Sequence, residues 1–185
     1  MNPVKARREP RFRAASVSLR PVTAADRDAI ADGVGDRAVA WMLARVRHPN
    51  PPADTDAFLA YAGPAVASGA MLYLAIEDGG RLVGAVSIEG MPGRPALGYW
   101  LAQSHWGRGL MTAAVAATLA HSFNKRGVRV VRSGAFFDNP RSLRVQQKLG
   151  FRQIGRRRML SLARGHEVEH IDTVLTPALF RERQR

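Results

Sequence analysis

The chain has 185 residues, 46% of them hydrophobic, enough for one domain with a full core and unlike a fibrous or wholly disordered protein. It has no cysteine, which excludes disulfides, a thiol nucleophile and thiolate metal sites. The net charge of +13 predicts an anionic partner: a phosphorylated small molecule, nucleic acid or another anionic surface. No apolar run reaches the roughly 18 residues of a spanning helix, and MNPVKARREPRFR has no apolar stretch to serve as a signal. The expectation is a soluble, cytoplasmic protein with no membrane partner.

In chain order, residues 1–14 read as a flexible basic arm, and SVSLRPV as a short strand. Thr23 with Asp26 makes a capping-box-like start to a helix. DRAVAWMLARV predicts a second helix, with Val39, Met42, Leu43 and Val46 along one face, until HPNPP breaks it. DTDAFLAYA is a short third helix. AMLYLAIE and RLVGAVSIE flank DGG, a hairpin signal, and ALGYWL is the next strand. The helix after it spaces Met111, Val115, Leu119 and Phe123 four apart, which buries one stripe. VRVVRSGAFF reads as a strand. DNPRSLRVQQKLGF reads as a helix capped by Asp138 or Asn139, with Pro140 in its first turn and Gly150 at its end. Two strands around 152–162 and 166–175 follow, turning at ARG, and residues 177–185 read as a basic tail. This pattern predicts a single α/β (α+β) domain over residues 15–176, with a mixed, mostly antiparallel sheet flanked by helices.

One junction carries a chemical signal. In YWLAQSHWGRGLMT a strand hands over to a helix through Gly107 and Gly109. A helix N-terminus leaves backbone N–H groups unpaired at its positive end, and glycines let an anion approach them. The segment lacks the Gly-Lys-Ser/Thr of a Walker loop and the third glycine of a Rossmann fingerprint. A tight turn that needs glycine for its dihedrals is the competing explanation.

With GYWL (98–101), WGRGLMT (106–112), NPRS (139–142) and KLGF (148–151) in this order and spacing, the chain resembles the GNAT superfamily of N-acetyltransferases over roughly residues 17–175. Within it, the similarity is to the ribosomal-protein N-acetyltransferase branch. The resemblance implies strands that splay at the coenzyme site, and acetyl-CoA as a substrate with no metal. It implies a pantetheine arm beside Tyr99, Trp100 and Leu101. It implies a diphosphate over the amides of Gly107, Arg108, Gly109, Leu110, Met111 and Thr112, with Trp106 a further coenzyme-binding residue of the loop. Asn139 matches a residue on the coenzyme arm, and Arg108, Arg144 and Lys148 are candidates for its phosphates. The acetyl group would pass to a primary amine by direct attack in a ternary complex.

Two departures bear on the chemistry. Many relatives carry a glutamate where this chain has Ala96, and a tyrosine where it has Gln146. Ser142 is then the candidate proton donor to the departing thiolate. A water shuttle or Glu89 would collect the amine proton, unless Glu89 is only a solvated strand-end charge. An α-amine of pKa about 8 is roughly a tenth neutral at pH 7, whereas a lysine near 10.4 is neutral about once in 2,500. So little acid–base equipment predicts a protein N-terminal α-amine as acceptor, with a small amine such as an antibiotic or polyamine as the alternative. Residues 33–66, which would shape the acceptor pocket, carry no readable motif.

Two rival readings remain. HEVEH (166–170) matches the zinc-peptidase pattern, but that pattern needs a helix. On a strand, as IDTVL suggests, His166 and His170 stand about 13 Å apart, so neither is expected to hold a metal or to matter for acetyl transfer. The charge also fits a non-catalytic RNA- or ribosome-binding protein on the same scaffold. A monomer and a homodimer are equally compatible with the sequence.

Overall fold

The computed structural model describes residues 12–14 and 17–184. Two short strands, β1 (Phe12–Ala14) and β2 (Val17–Pro21), open it. A single 3-10 turn at Ala24–Asp26 leads into α1 (Arg27–Gly35), then α2 (Arg37–Ala40) and α3 (Pro52–Ala67). Three strands follow, β3 (Met71–Asp78), β4 (Arg81–Glu89) and β5 (Ala96–Leu101). The rest is α4 (Leu110–Lys125), β6 (Val131–Phe136), α5 (Pro140–Leu149), β7 (Arg152–Ser161), β8 (His166–Leu175) and α6 (Pro177–Gln184). All strands join one sheet in the order β1-β2-β3-β4-β5-β6-β8-β7, antiparallel except for β5 beside β6.

The hairpin signal is fulfilled: Gly79 and Gly80 both take positive φ between β3 and β4, the twist a two-residue turn needs. α4 buries Met111, Val115 and Leu119 against one face of the sheet, with Phe123 at the edge. Removing a leucine such as Leu119 from water stabilises by about 1.5–3 kcal/mol. α1 and α3 cover the other face, where Ile30, Val34 and Ala62 meet Met71, Tyr73 and Ala85.

Three expectations need correction. The second helix ends at Ala40, because the carbonyls it needs are taken elsewhere. Arg164 donates twice to the Trp41 carbonyl, at 2.8 and 3.0 Å, and the Leu162 amide donates to the Ala44 carbonyl at 3.1 Å. Docking on the β7–β8 turn thus overrides helical periodicity. The C-terminal segment is helix rather than tail: Phe180 is buried and its ring lies 5.7 Å from that of Phe123. The basic arm gives up Phe12–Ala14 to β1, which pairs with β2. Residues 1–11 of that arm lie outside the described residues.

β5 and β6 share one residue pair, Ala96 with Arg132. There the Arg132 amide donates to the Pro95 carbonyl at 2.9 Å, and Ser133 Oγ to the Leu97 carbonyl at 3.2 Å. Beyond that pair the ladder stops, and the sheet opens between Gly98–Leu101 and Gly134–Phe136. Among the described residues, no helix is long and apolar enough to cross a membrane.

Candidate active site

A cavity of about 1000 Å³ occupies this gap and is lined from both faces of the sheet. Strand alternation divides its walls. Leu97, Tyr99 and Leu101 join the core under α4 and α5, whereas Trp100 packs on α1, where a Cβ at Gly33 would lie 2.2 Å from its ring.

On the α4–α5 face, Gly107 and Gly109 both adopt left-handed φ, +78° and +79°, and a Cβ at either would meet open space. Gly109 is the N-cap of α4, so the first-turn amides have no intrahelical acceptor. Leu110 and Met111 bury their side chains and Thr112 follows, all three lining the cavity with Gly107 and Gly109. Trp106 anchors the loop: its Nε1–H donates to the Leu101 carbonyl at 2.7 Å, and the Arg141 guanidinium lies 4.8 Å over its ring. Arg108 departs from expectation. It pairs with Asp78 at 2.8 Å, beside the β3–β4 turn, and lies outside the cavity lining.

Asn139 caps α5, its Oδ1 accepting from the Ser142 amide at 3.1 Å, and Pro140 follows at the first helical position. This turn brings Ser142 Oγ within 2.8 Å of the Tyr99 hydroxyl. Gln146, 1% exposed, holds the pair: its Nε2 lies 3.3 Å from both oxygens and donates to the Gly134 carbonyl at 3.1 Å. Its Oε1 accepts from Thr173 at 2.6 Å, so the buried amide is satisfied on both sides. Burial pushes the Tyr99 phenol above its usual range, which keeps it a protonated O–H donor at neutral pH. In the sequence, Tyr99 is expected on the coenzyme arm and Gln146 stands where many relatives carry a tyrosine. The phenol beside Ser142 instead comes from the facing strand. Arg144 and Lys148 also line the cavity.

The opposite face is assembled from scattered segments. Glu89 stands in register with Ala96, and its Oε1 accepts from Arg45 at 2.5 Å. The HEVEH segment is strand β8, as expected. His166 is exposed at its start, whereas His170 is 9% exposed and lines the cavity. His170 Nδ1 lies 2.9 Å from Asp172 Oδ1, and Arg157 pairs with the same carboxylate at 2.9 Å. Burial is the main influence on His170 and lowers its pKa, with Asp172 acting against it and Arg157 adding to it. Asp138 pairs with Arg164 at 2.7 Å on the same wall. Among the described residues, no three His, Asp or Glu side chains are grouped to hold a metal.

A splayed sheet, a glycine-led helix N-terminus in the gap and a serine–tyrosine pair beside it define the class. The Acetyltransferase (GNAT) domain model matches residues 16–152, and the chain belongs to this acetyltransferase family. Acetyl-CoA is the family's common acyl donor. A curated relative, the probable N-acetyltransferase YjcK of Bacillus subtilis, is 33% identical over 88 residues, 45% of this chain and 48% of the relative. The match thus spans about half of that relative's length. RimJ of Mycobacterium smegmatis, solved with a CoA disulfide, superposes with a TM-score of 0.78 at 22% identity, covering 91% of this chain and 87% of that one. The ribosomal-protein-S5-alanine acetyltransferase of Vibrio fischeri gives 0.79 at 20% identity, covering 91% and 97%. A spermidine N-acetyltransferase of Vibrio cholerae, solved with CoA and spermine, gives 0.76 at 15% identity, covering 90% and 99%. These structures share the fold.

Proposed function

We propose that the protein transfers the acetyl group of acetyl-CoA to the α-amine of a polypeptide N-terminus. The donor's diphosphate lies over the amides of Gly107–Thr112, with Asn139 on the pantetheine arm and Arg144 and Lys148 near the phosphates. The thioester sits in the gap beside Tyr99. The 2.8 Å contact allows either hydroxyl to donate; with Tyr99 as the donor to Ser142 Oγ, the serine hydrogen is free to meet the departing thiolate. Glu89 faces the incoming amine, but its carboxylate is held by Arg45, so accepting a proton requires that pair to open.

The acceptor preference rests on one observation. Each carboxylate lining the α1–α3 side is bound by an arginine: Glu89 by Arg45, Asp54 by Arg47, Asp138 by Arg164, and Asp172 by Arg157. No free negative group among these four awaits a lysine or polyamine cation, whereas an α-amine arrives partly neutral. A small-amine acceptor is the second reading, favoured by the spermidine enzyme that shares the fold. A thiol-release screen with acetyl-CoA separates the two. Peptides with free N-termini should turn over, and N-terminally blocked lysine peptides and spermidine should react at least tenfold more slowly. Preference for spermidine reverses the assignment. Salt-dependent RNA binding with no thiol release from any amine would favour the binding-protein reading.

A further inference from the structure

His170 lies outside the four sequence motifs at 98–101, 106–112, 139–142 and 148–151, yet it lines the cavity. Register puts it opposite Phe136, and Gly134 opposite Asp172. These residues therefore share the sheet face of Ala96, Arg132 and Glu89, across the sheet from Ser142 and Gln146. The ring lies over Gly134, where a Cβ would come within 2.3 Å of its Cε1 and 3.0 Å of its Nε2. Gly134 is two residues past the one β5–β6 pair, so its bare backbone makes room for the imidazole at the opening of the gap. Phe136 meets the ring edge-on, with centroids 5.9 Å apart.

The neighbours set the tautomer. Asp172 already accepts from Arg157 Nε through both oxygens, at 2.9 and 3.1 Å. The contact with His170 Nδ1 is therefore an N–H donated to that carboxylate, and Nε2 carries the bare lone pair. The charged groups facing this site are Asp172 on β8, Arg157 on β7, and Arg132 and Glu89 along the same cavity wall. Glu89 is paired with Arg45, which also lines the cavity, and Arg164 lies behind the wall, stacked 4.9 Å over Phe136 and paired with Asp138. Burial and Arg157 together keep the imidazole neutral at pH 7.

We propose that His170, oriented by Asp172, accepts the proton of the acceptor amine. The proposal rests on the acetyltransferase reading. The amine nitrogen attacks the thioester carbonyl from the α1–α3 side and the C–N bond forms. The C–S bond breaks, and its electron pair leaves with sulfur toward Ser142, which protonates it. The nitrogen's proton passes to His170 Nε2, and water takes it from there and returns one to Ser142. Acid and base thus stand on opposite faces of the sheet, and the histidine supplies the base that Ala96 does not. Asp172 is a positioning residue in this scheme.

The test is steady-state thiol release from pH 5 to 9 by the full-length protein, its His170→Gln, His170→Ala, Asp172→Asn and Glu89→Gln variants, with acetyl-CoA affinity measured for each by calorimetry. The wild-type kcat should fall on an acidic limb below the ordinary histidine range. His170→Gln should lose about 10²-fold in kcat and lose the limb, with acetyl-CoA affinity unchanged. Added imidazole should restore part of the rate to His170→Ala. Asp172→Asn removes the group that raises the histidine's pKa, so its limb should move to lower pH. A His170→Gln enzyme within threefold of wild type, or a limb that disappears only in Glu89→Gln, overturns the proposal while leaving acetyl transfer intact. A wild-type protein that releases thiol with no amine overturns the reading beneath it as well.

Discussion

Under α4 and α5, the gap is lined by one short segment, Trp106–Gly107 and Gly109–Thr112, and one helical turn, Asn139–Ser142. Across the sheet it is lined by residues from separate elements, β4, β6, β7, β8 and the segment after α2, such as Glu89, Gly134, Arg157, His170 and Leu43. The first face is built for backbone recognition. Left-handed glycines and a bare helix N-terminus require particular residue types at fixed spacing, and so leave a motif. The second face is built from side chains that only the fold brings together. A common donor can be read from such a chain, whereas its acceptor cannot.

The largest expected effect should fall on the first face alone. Gly109→Glu places a carboxylate where the diphosphate approaches and should abolish measurable acetyl-CoA binding. Gly109→Ala shares the backbone strain without the charge, and calorimetry should show it binding at least tenfold better than the glutamate variant. Equal affinity in the two would remove the loop from the site. Ser142→Ala should cost about 10²-fold in kcat, at the low end for a lost acid because a thiolate departs readily, with acetyl-CoA affinity kept. With the α-amine itself setting the neutral fraction above the histidine limb, kcat/KM should rise toward the amine's pKa of about 8 in both enzymes. A profile flat across pH 7–8 would mean that the amine's own ionisation does not set the rate.

Arg164→Ala sharpens the contrast from the other side. Its side chain is 5% exposed and ties Trp41 and Asp138 together, so truncation should cost about 2–3 kcal/mol in denaturant unfolding. It should also raise the acceptor KM several-fold while acetyl-CoA binding is unchanged. Equal losses in both substrates would mean that the two faces are not independent.

The same division explains what the sequence revealed. The hairpin at Gly79–Gly80, the α4 stripe and the Asn139 cap are local, and each lies where turn chemistry and periodicity put it. The early end of α2 depends on Arg164, more than a hundred residues away in the chain. The helix at the C-terminus depends on Phe180 finding Phe123. Gln146 could be read only as an absence, because its partners Gly134 and Thr173 lie on strands that α5 itself does not contain. In the sequence, His170 reads only as part of the zinc-peptidase pattern around it. Only the register of β8 against β6 separates it from the exposed His166.

A crystal structure of the protein with CoA tests the proposal that donor and acceptor meet through the gap between β5 and β6. The diphosphate should lie on the amides of Gly107–Thr112 and the thiol sulfur between Gly98 and Gly134, within reach of Ser142 Oγ and with open cavity toward His170. A CoA thiol outside the gap, or one screened from Ser142 by the Tyr99 ring, would contradict it.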